Sequence, residues 1–340
     1  MNARVRVSLV SLFVVMALAA LQVPGAAAYQ AGGNLPTYKE PPSARFDITG
    51  NLSISGGSEV GNINAKITGN GAMSGGNLQE DITVNVSGGP SGGSTSVTSS
   101  VILIGTMYYM KISSPSTPGA AGTDKWYVVD LSKVPGGQNA LPGMGGSGLT
   151  GIDPKYQAAF HTTQLGKETI NGASTTKYQL DVDLPKLLEL MGSADPQTVQ
   201  MLNNAKLVVY MWIGDDDMYV HQTRAVMDVK VSVPNSSDIT LALDFLITFK
   251  DFGAPITITA PANAEPLDMG TSGTSGSLIF GMPTSFIGGM PSSMPTGMPT
   301  TGASDNGGRP PLSLMPLALT ALALLCLATG GLLRRRASLH

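Results

Sequence analysis

Between residues 45 and 250 apolar and polar side chains take turns along several stretches. Phe46, Ile48, Leu52 and Ile54 alternate with Arg45, Asp47, Thr49, Asn51 and Ser53. The same period of two runs through 82–87, 177–184, 224–231 and 239–250. A period of two is the signature of strands that show one face to water and the other to an apolar surface, the pattern of antiparallel sheet. Further strands are predicted at 61–73, 95–104, 106–113, 124–131 and 206–213, separated by Gly-, Asn- and Ser-rich turns such as 55–58, 75–77 and 234–237. Several runs exceed ten residues, so the sheet they build is broad and must curl.

Helix signals are few. Asp153-Pro154, Asp183 before Pro185, and Asp195-Pro196 each pair a capping acid with a proline suited to a first helical turn. They predict short helices reaching Phe160, Met191 and about Ala205. The middle one is apolar over a wide face, through Leu187, Leu188, Leu190 and Met191. The expected fold class is α+β: a single curved antiparallel sheet, an unclosed half-barrel, wrapped over a few short helices.

Composition divides the rest of the 340 residues. In 1–28 a short basic region, Arg4 and Arg6, precedes an uncharged apolar run and Ala26-Ala27-Ala28, the layout of a signal peptide cut by signal peptidase after Ala28. A lead-in at 29–38 and a body at 39–266 follow. Residues 267–311 are a Gly/Pro/Met/Ser/Thr stalk whose prolines prevent helix and sheet. Residues 312–333 are uncharged and, at about 1.5 Å per residue, long enough to cross a hydrocarbon core of about 30 Å as a transmembrane helix. Arg334, Arg335 and Arg336 open the basic tail at 334–340, which stays in the cytoplasm and leaves the body outside.

Charge and candidate chemistry remove most functions. From 29 to 311 there are 15 basic and 23 acidic residues, a formal charge of −8, which repels phosphate backbones and excludes nucleic acid. One Cys rules out a disulfide framework, and three His leave little for a metal centre or a Ser-His-Asp triad. His161 and His221 read as isolated, and Asp215-Asp216-Asp217 as a solvated turn without the spacing of a Ca²⁺ loop. No glycine-rich stretch joins a strand to a helix in the manner of a nucleotide site. No cofactor, no metal and no catalytic residue are expected, and the chain is read as not an enzyme.

Four motifs nonetheless stand in a telling order. Tyr108-Tyr109-Met110-Lys111 is followed by Lys125-Trp126-Tyr127-Val128. Gly166-Lys167-Glu168-Thr169-Ile170-Asn171-Gly172 leads to Thr176-Lys177-Tyr178. Trp212-Ile213-Gly214 opens a hairpin through Arg224. Asp251-Phe252-Gly253-Ala254-Pro255 then precedes Ala260-Pro261. Over about residues 42–266 this order resembles the LolA/LppX-type lipoprotein-carrier superfamily, closest to its LppX/LprG group, where 251–258 corresponds to an exit strand. The resemblance implies an unclosed barrel over helices, with an apolar cavity for the acyl chains of lipids or lipoproteins. It makes Tyr108, Met110, Trp126, Tyr178, Leu180, Leu187, Leu188, Leu190, Met191, Trp212, Met227, Leu243 and Phe245 the candidate cavity residues. Met298-Pro299-Thr300-Thr301-Gly302 resembles the LPxTG signal of sortase substrates, with Met298 in place of Leu, and implies cleavage between Thr301 and Gly302. Simple retention by the membrane span is the alternative anchor.

Two functions follow. In the first, the protein is a surface-tethered binder of lipid or another apolar ligand in the bacterial envelope, a carrier, receiver or sensor. In the second it is a structural or adhesive cell-wall domain with a packed core, whose recognition lies on the exposed face of the sheet.

Overall fold

The computed structural model describes residues 36–56, 62–88, 92–113, 125–133, 158–191, 205–231 and 238–266. The signal peptide with Ala28, the stalk, Met298, Pro299, Thr301 and Gly302, the transmembrane segment and the basic tail lie outside these residues. So do residues 153–157 and 196–204 of the two outer predicted helices. Among the described residues no helix is long and apolar enough to cross a membrane.

The body is one large unclosed sheet. Its strands are β1 (Ser43–Ser55), β2 (Ile63–Ser74), β3 (Asn77–Gly88), β4 (Gly93–Ile104), β5 (Met107–Ser113), β6 (Tyr127–Asp130), β7 (Phe160–Ile170), β8 (Ala173–Val182), β9 (Lys206–Gly214), β10 (Val220–Val231), β11 (Ile239–Lys250) and β12 (Glu265–Pro266). In space they run β12-β6-β5-β4-β3-β2-β1-β11-β10-β9-β8-β7. Two meanders, β1 to β6 and β7 to β11, are joined where the last strand of the second returns beside the first of the first. That junction is an antiparallel ladder from Arg45↔Lys250 to Ser55↔Thr240. Among the described residues every strand pairing is antiparallel except β12 with β6, and one isolated parallel bridge joins Lys39 to Tyr219.

The predicted strands reappear with their ends moved by a few residues, because alternation marks where a face is buried and turn chemistry marks where the ladder stops. Two expectations change. Phe160, predicted as the end of a helix, is the first residue of β7. Residues 251–258, matched to an exit strand, form turns and irregular chain. Pro255 and Pro261 offer no N–H to a ladder, and Asp251 and Gly253 adopt φ of 55° and 73°. This segment is held instead by Gly253 N–H to Ser43 O at 2.9 Å and Ser43 Oγ–H to Ala254 O at 2.6 Å.

Helix is scarce among the described residues. The predicted helix after Asp183 is present as α1 (Leu184–Met191). Asp183 caps it: Lys186 N–H donates to Asp183 Oδ1 at 3.0 Å and Leu187 N–H to Asp183 O at 2.9 Å. A short 3₁₀ turn at Leu131–Lys133 follows β6.

One face of the sheet carries the core. Alternate residues of β1–β4 and β8–β11 point to it and form one continuous apolar cluster, with Leu184 of α1 buried in it and Leu187 packed against it.

Candidate ligand-binding face

The cluster is ordered by strand register. One row runs Phe160, Val182, Leu207, Met227, Leu243, Leu52, Ala65 and Val86 across neighbouring strands. The next row up runs Leu180, Val209, Ala225, Phe245, Gly50, Ile67, Val84 and Val97. Cross-strand neighbours on one face of an antiparallel pair sit about 4.5–5.5 Å apart, so each row is a continuous apolar stripe.

Two large rings lie flat across this face because glycine leaves room for them. A Cβ on Gly71 would stand 2.2 Å from Phe46 Cζ, and one on Gly50 would stand 2.8 Å from Phe245 Cδ2. Phe46 also meets Phe249 with ring centroids 5.9 Å apart. Dispersion and burial at these aromatic contacts dominate the middle of the face.

The structure sorts the predicted cavity residues by face. Tyr108, Leu180, Met227, Leu243 and Phe245 are buried on the apolar face, and Met110, Tyr178 and Leu187 pack against them. Leu188, Leu190 and Met191 belong to α1, but their side chains lie outside the description. Trp126 and Trp212 are on the other side. Trp212 sits between inward Met211 and Ile213, so the pleat turns its indole outward, where it is 4% exposed. Its N–H donates to Glu168 Oε2 at 2.7 Å, and Lys177 Nζ lies 4.7 Å from its ring centroid and 3.0 Å from Glu168 Oε1. The indole bond, then the ammonium, hold the Glu168 carboxyl below the usual carboxylate range. Lys111 Nζ stands over the half-buried Trp126 ring in the same way, 5.4 Å from its centroid. An indole needs a partner for its N–H, and the polar face supplies one where the apolar face does not.

The apolar face also carries polar residues not singled out from the sequence, Glu80, Ser99 and Thr223 among them. Glu80 is 1% exposed, between Gly71 and Val101 in register. Thr223 is 0% exposed, and its hydroxyl has no hydrogen-bond partner among the described residues. Their positions in phase with Ile82 and Ala225 were the available signal, since each falls on an inward position of its strand.

At one end of the second meander, Asp215 organises the turn after β9. Its carboxylate accepts from Lys167 Nζ at 2.9 Å, Ser174 Oγ at 2.6 Å and Thr176 Oγ1 at 2.6 Å, which together press its pKa far below the ordinary value. Asp217 accepts from Tyr219 N–H at 2.8 Å, and its Oδ2 lies 3.0 Å from Nε2 of buried His221. His221 meets Phe252 edge-on at 4.8 Å. These acids are therefore engaged in closing the turn, and among the described residues no group of three His, Cys, Asp or Glu is placed to hold a metal ion.

No protein-family model matches this chain, and no curated protein sequence matches it. Solved structures do. The chain is similar to LprF from Mycobacterium bovis at 17% identity, over 65% of this chain and 90% of that one, with a TM-score of 0.29. It is similar to the Mycobacterium tuberculosis lipoprotein LppX at 11% identity, over 75% and 99%, with a TM-score of 0.28. A DUF1329 family protein from Desulfovibrio piger matches at 7% identity, over 73% and 94%, with a TM-score of 0.18. At these identities and overlaps no residue role passes from those structures to this chain.

Proposed function

We propose that this protein is a non-catalytic, surface-tethered binder of lipid or another apolar ligand, working outside the membrane that anchors it. The observation that carries the reading is the single unclosed sheet, whose one continuous apolar face spans both meanders. A closed barrel fixes its interior volume, whereas an open sheet can part along its free edges and admit a chain. The sheet curls as a half-barrel, and α1 lies against its apolar side through Leu184 and Leu187. Acyl chains inserted between sheet and helices leave water at about 0.8 kcal/mol per CH₂. Leu187 faces the chains from the helix side, with Tyr108, Met110, Tyr178, Leu180, Met227, Leu243 and Phe245 on the sheet side. The stalk and span keep the body at the surface, where a local receiver or sensor is better served than a shuttle. Cleavage between Thr301 and Gly302 by sortase would transfer the same body to the wall.

Native mass spectrometry of secreted residues 29–266, with organic extraction of the same sample, tests the reading. Co-purified lipid at near-stoichiometric level is expected. An apo mass that stays unchanged after incubation with phospholipid and triacylglycerol sinks it.

A further inference from the structure

Residues 251–266 leave the end of β11, in the middle of the sheet, and finish as β12 beside β6 at its edge. The strands β1 to β5 lie between those two points. The segment is pinned at its start. Asp251 Oδ2 stands 3.7 Å from Arg45 Nε on β1, and Gly253 and Ala254 are bonded to Ser43. Phe252 packs on the apolar cluster, with its ring centroid 5.2 Å from that of Tyr219 and 4.8 Å from that of His221. It is pinned again at Glu265, whose N–H donates to Trp126 O at 2.8 Å and whose Oε1 accepts from Lys125 Nζ at 2.7 Å.

Between the pins the hold is looser. Among the described residues no hydrogen bond or ion pair ties 255–264 to the sheet. Ile256, Ile258, Pro261 and Ala264 are half-buried, while Thr257 and Thr259 are exposed. The five strand spacings from β1 to β6 make an arc of about 24 Å, and the chain from Ala254 to Glu265 reaches about 36 Å when extended. The segment therefore spans the arc with slack, as a strap fixed at its two ends.

The edge it reaches is where the sheet thins. Strand length falls from 12 residues in β4 to 7 in β5, 4 in β6 and 2 in β12. The Lys125–Glu265 pair is exposed and adds little to this short ladder. The opposite edge differs: β7 is paired with β8 along its whole length, from Phe160↔Val182 to Ile170↔Ala173. Local opening begins where few buried contacts and few ladder bonds must be broken, which places it at β6 and β12. Next to them, Tyr108 and Met110 of β5 belong to the apolar face.

We infer that residues 251–266 are a latch: β12 docked on β6 holds the β5–β6 edge shut, and its release lets that edge swing out and admit an apolar chain past Tyr108 and Met110. For its ligand this inference rests on the apolar-ligand reading above; the latch itself rests on the strand order and the two pins.

Hydrogen exchange and photolabelling of the full-length protein in amphipol test it, with diazirine-bearing palmitic acid as the probe. Glu265→Pro removes both the N–H to Trp126 and the carboxylate to Lys125. Amide exchange over 107–113 and 127–130 is expected to quicken at least tenfold, with the β1–β11 ladder unchanged. The body should also reach its labelling plateau at least threefold sooner. Lys125→Cys/Glu265→Cys in a Cys326→Ala background, joined with dibromobimane, locks the joint and should slow labelling at least threefold. Unchanged exchange at β5 and β6 in Glu265→Pro, or labelling at one rate in all forms, overturns the latch. Quickened exchange with no labelling of any form, the native chain included, sinks the apolar-ligand reading and leaves the latch standing.

Discussion

Gly71 and Asp215 show how much of this protein rests on single atoms. At Gly71 a hydrogen stands where any other residue would place a Cβ 2.2 Å from Phe46 Cζ and 2.6 Å from Gln79 O. The ring is held against Phe249 and the carbonyl by the β2–β3 ladder, so neither gives way freely. Gly71→Ala is expected to destabilise the body by about 1–3 kcal/mol, the cost of overpacking a filled face, read as a lower urea midpoint with an unchanged slope. Asp215 makes an electrostatic counterpart. Its folded pKa lies far below its unfolded one because Lys167, Ser174 and Thr176 all donate to the ionised form. Its contribution to stability is therefore present above the ordinary carboxylate range, about pH 4, and is lost as the pH falls toward the folded value. Asp215→Asn should lower the melting temperature at pH 7, and the gap from the wild type should close as the pH drops below 4. A gap that stays constant with pH would show that the turn does not draw on the charge. Neither effect was visible in the sequence, where Gly71 reads as one more small residue and Asp215 as a solvated turn.

At the scale of elements, what the sequence revealed depended on whether burial was one-sided. β1, β3, β10 and β11 alternate cleanly because one face meets the core and the other meets water. β7 shows no such pattern: it is the free edge of the sheet, and residues 163–169 are exposed whichever way they point. Its trace in the sequence is the turn that follows it. Ile170 pairs with Ala173, leaving a two-residue loop of Asn171 and Gly172 at φ of 49° and 85°, the backbone a type I′ hairpin requires. The register shift between Gln164 and Gly166, with Lys167 beyond it, interrupts the free edge and discourages pairing with another chain. α1 was legible for a different reason, since its acid-proline start encodes the cap directly. An eight-residue helix has little stability of its own, so the cap matters. Asp183→Ala should cost about 1 kcal/mol. Amide exchange should quicken in α1 first, while the β1–β11 ladder keeps its protection.

For the whole molecule, the apolar face and the helix beside it act together. Leu187 packs on the core yet is only half-buried, at the boundary a ligand chain would occupy. Leu187→Arg is therefore expected to remove co-purified lipid while the domain stays folded and secreted; lipid retained at the wild-type level would place the ligand elsewhere. The amino-acid sequence by itself determined the strand count in outline, the antiparallel class, the capped helix and the acidic composition. Each is written locally, in period, in turn residues or in composition. Which residues share a face across the sheet was decided only by the tertiary structure. Trp212 reads as a cavity anchor until β9 turns it outward to Glu168. Asp244 comes to stand opposite Asn51 only when β11 pairs with β1, from far along the chain. Register across such distances is fixed by packing of the whole apolar face, because a slip of one residue would turn every buried side chain to water.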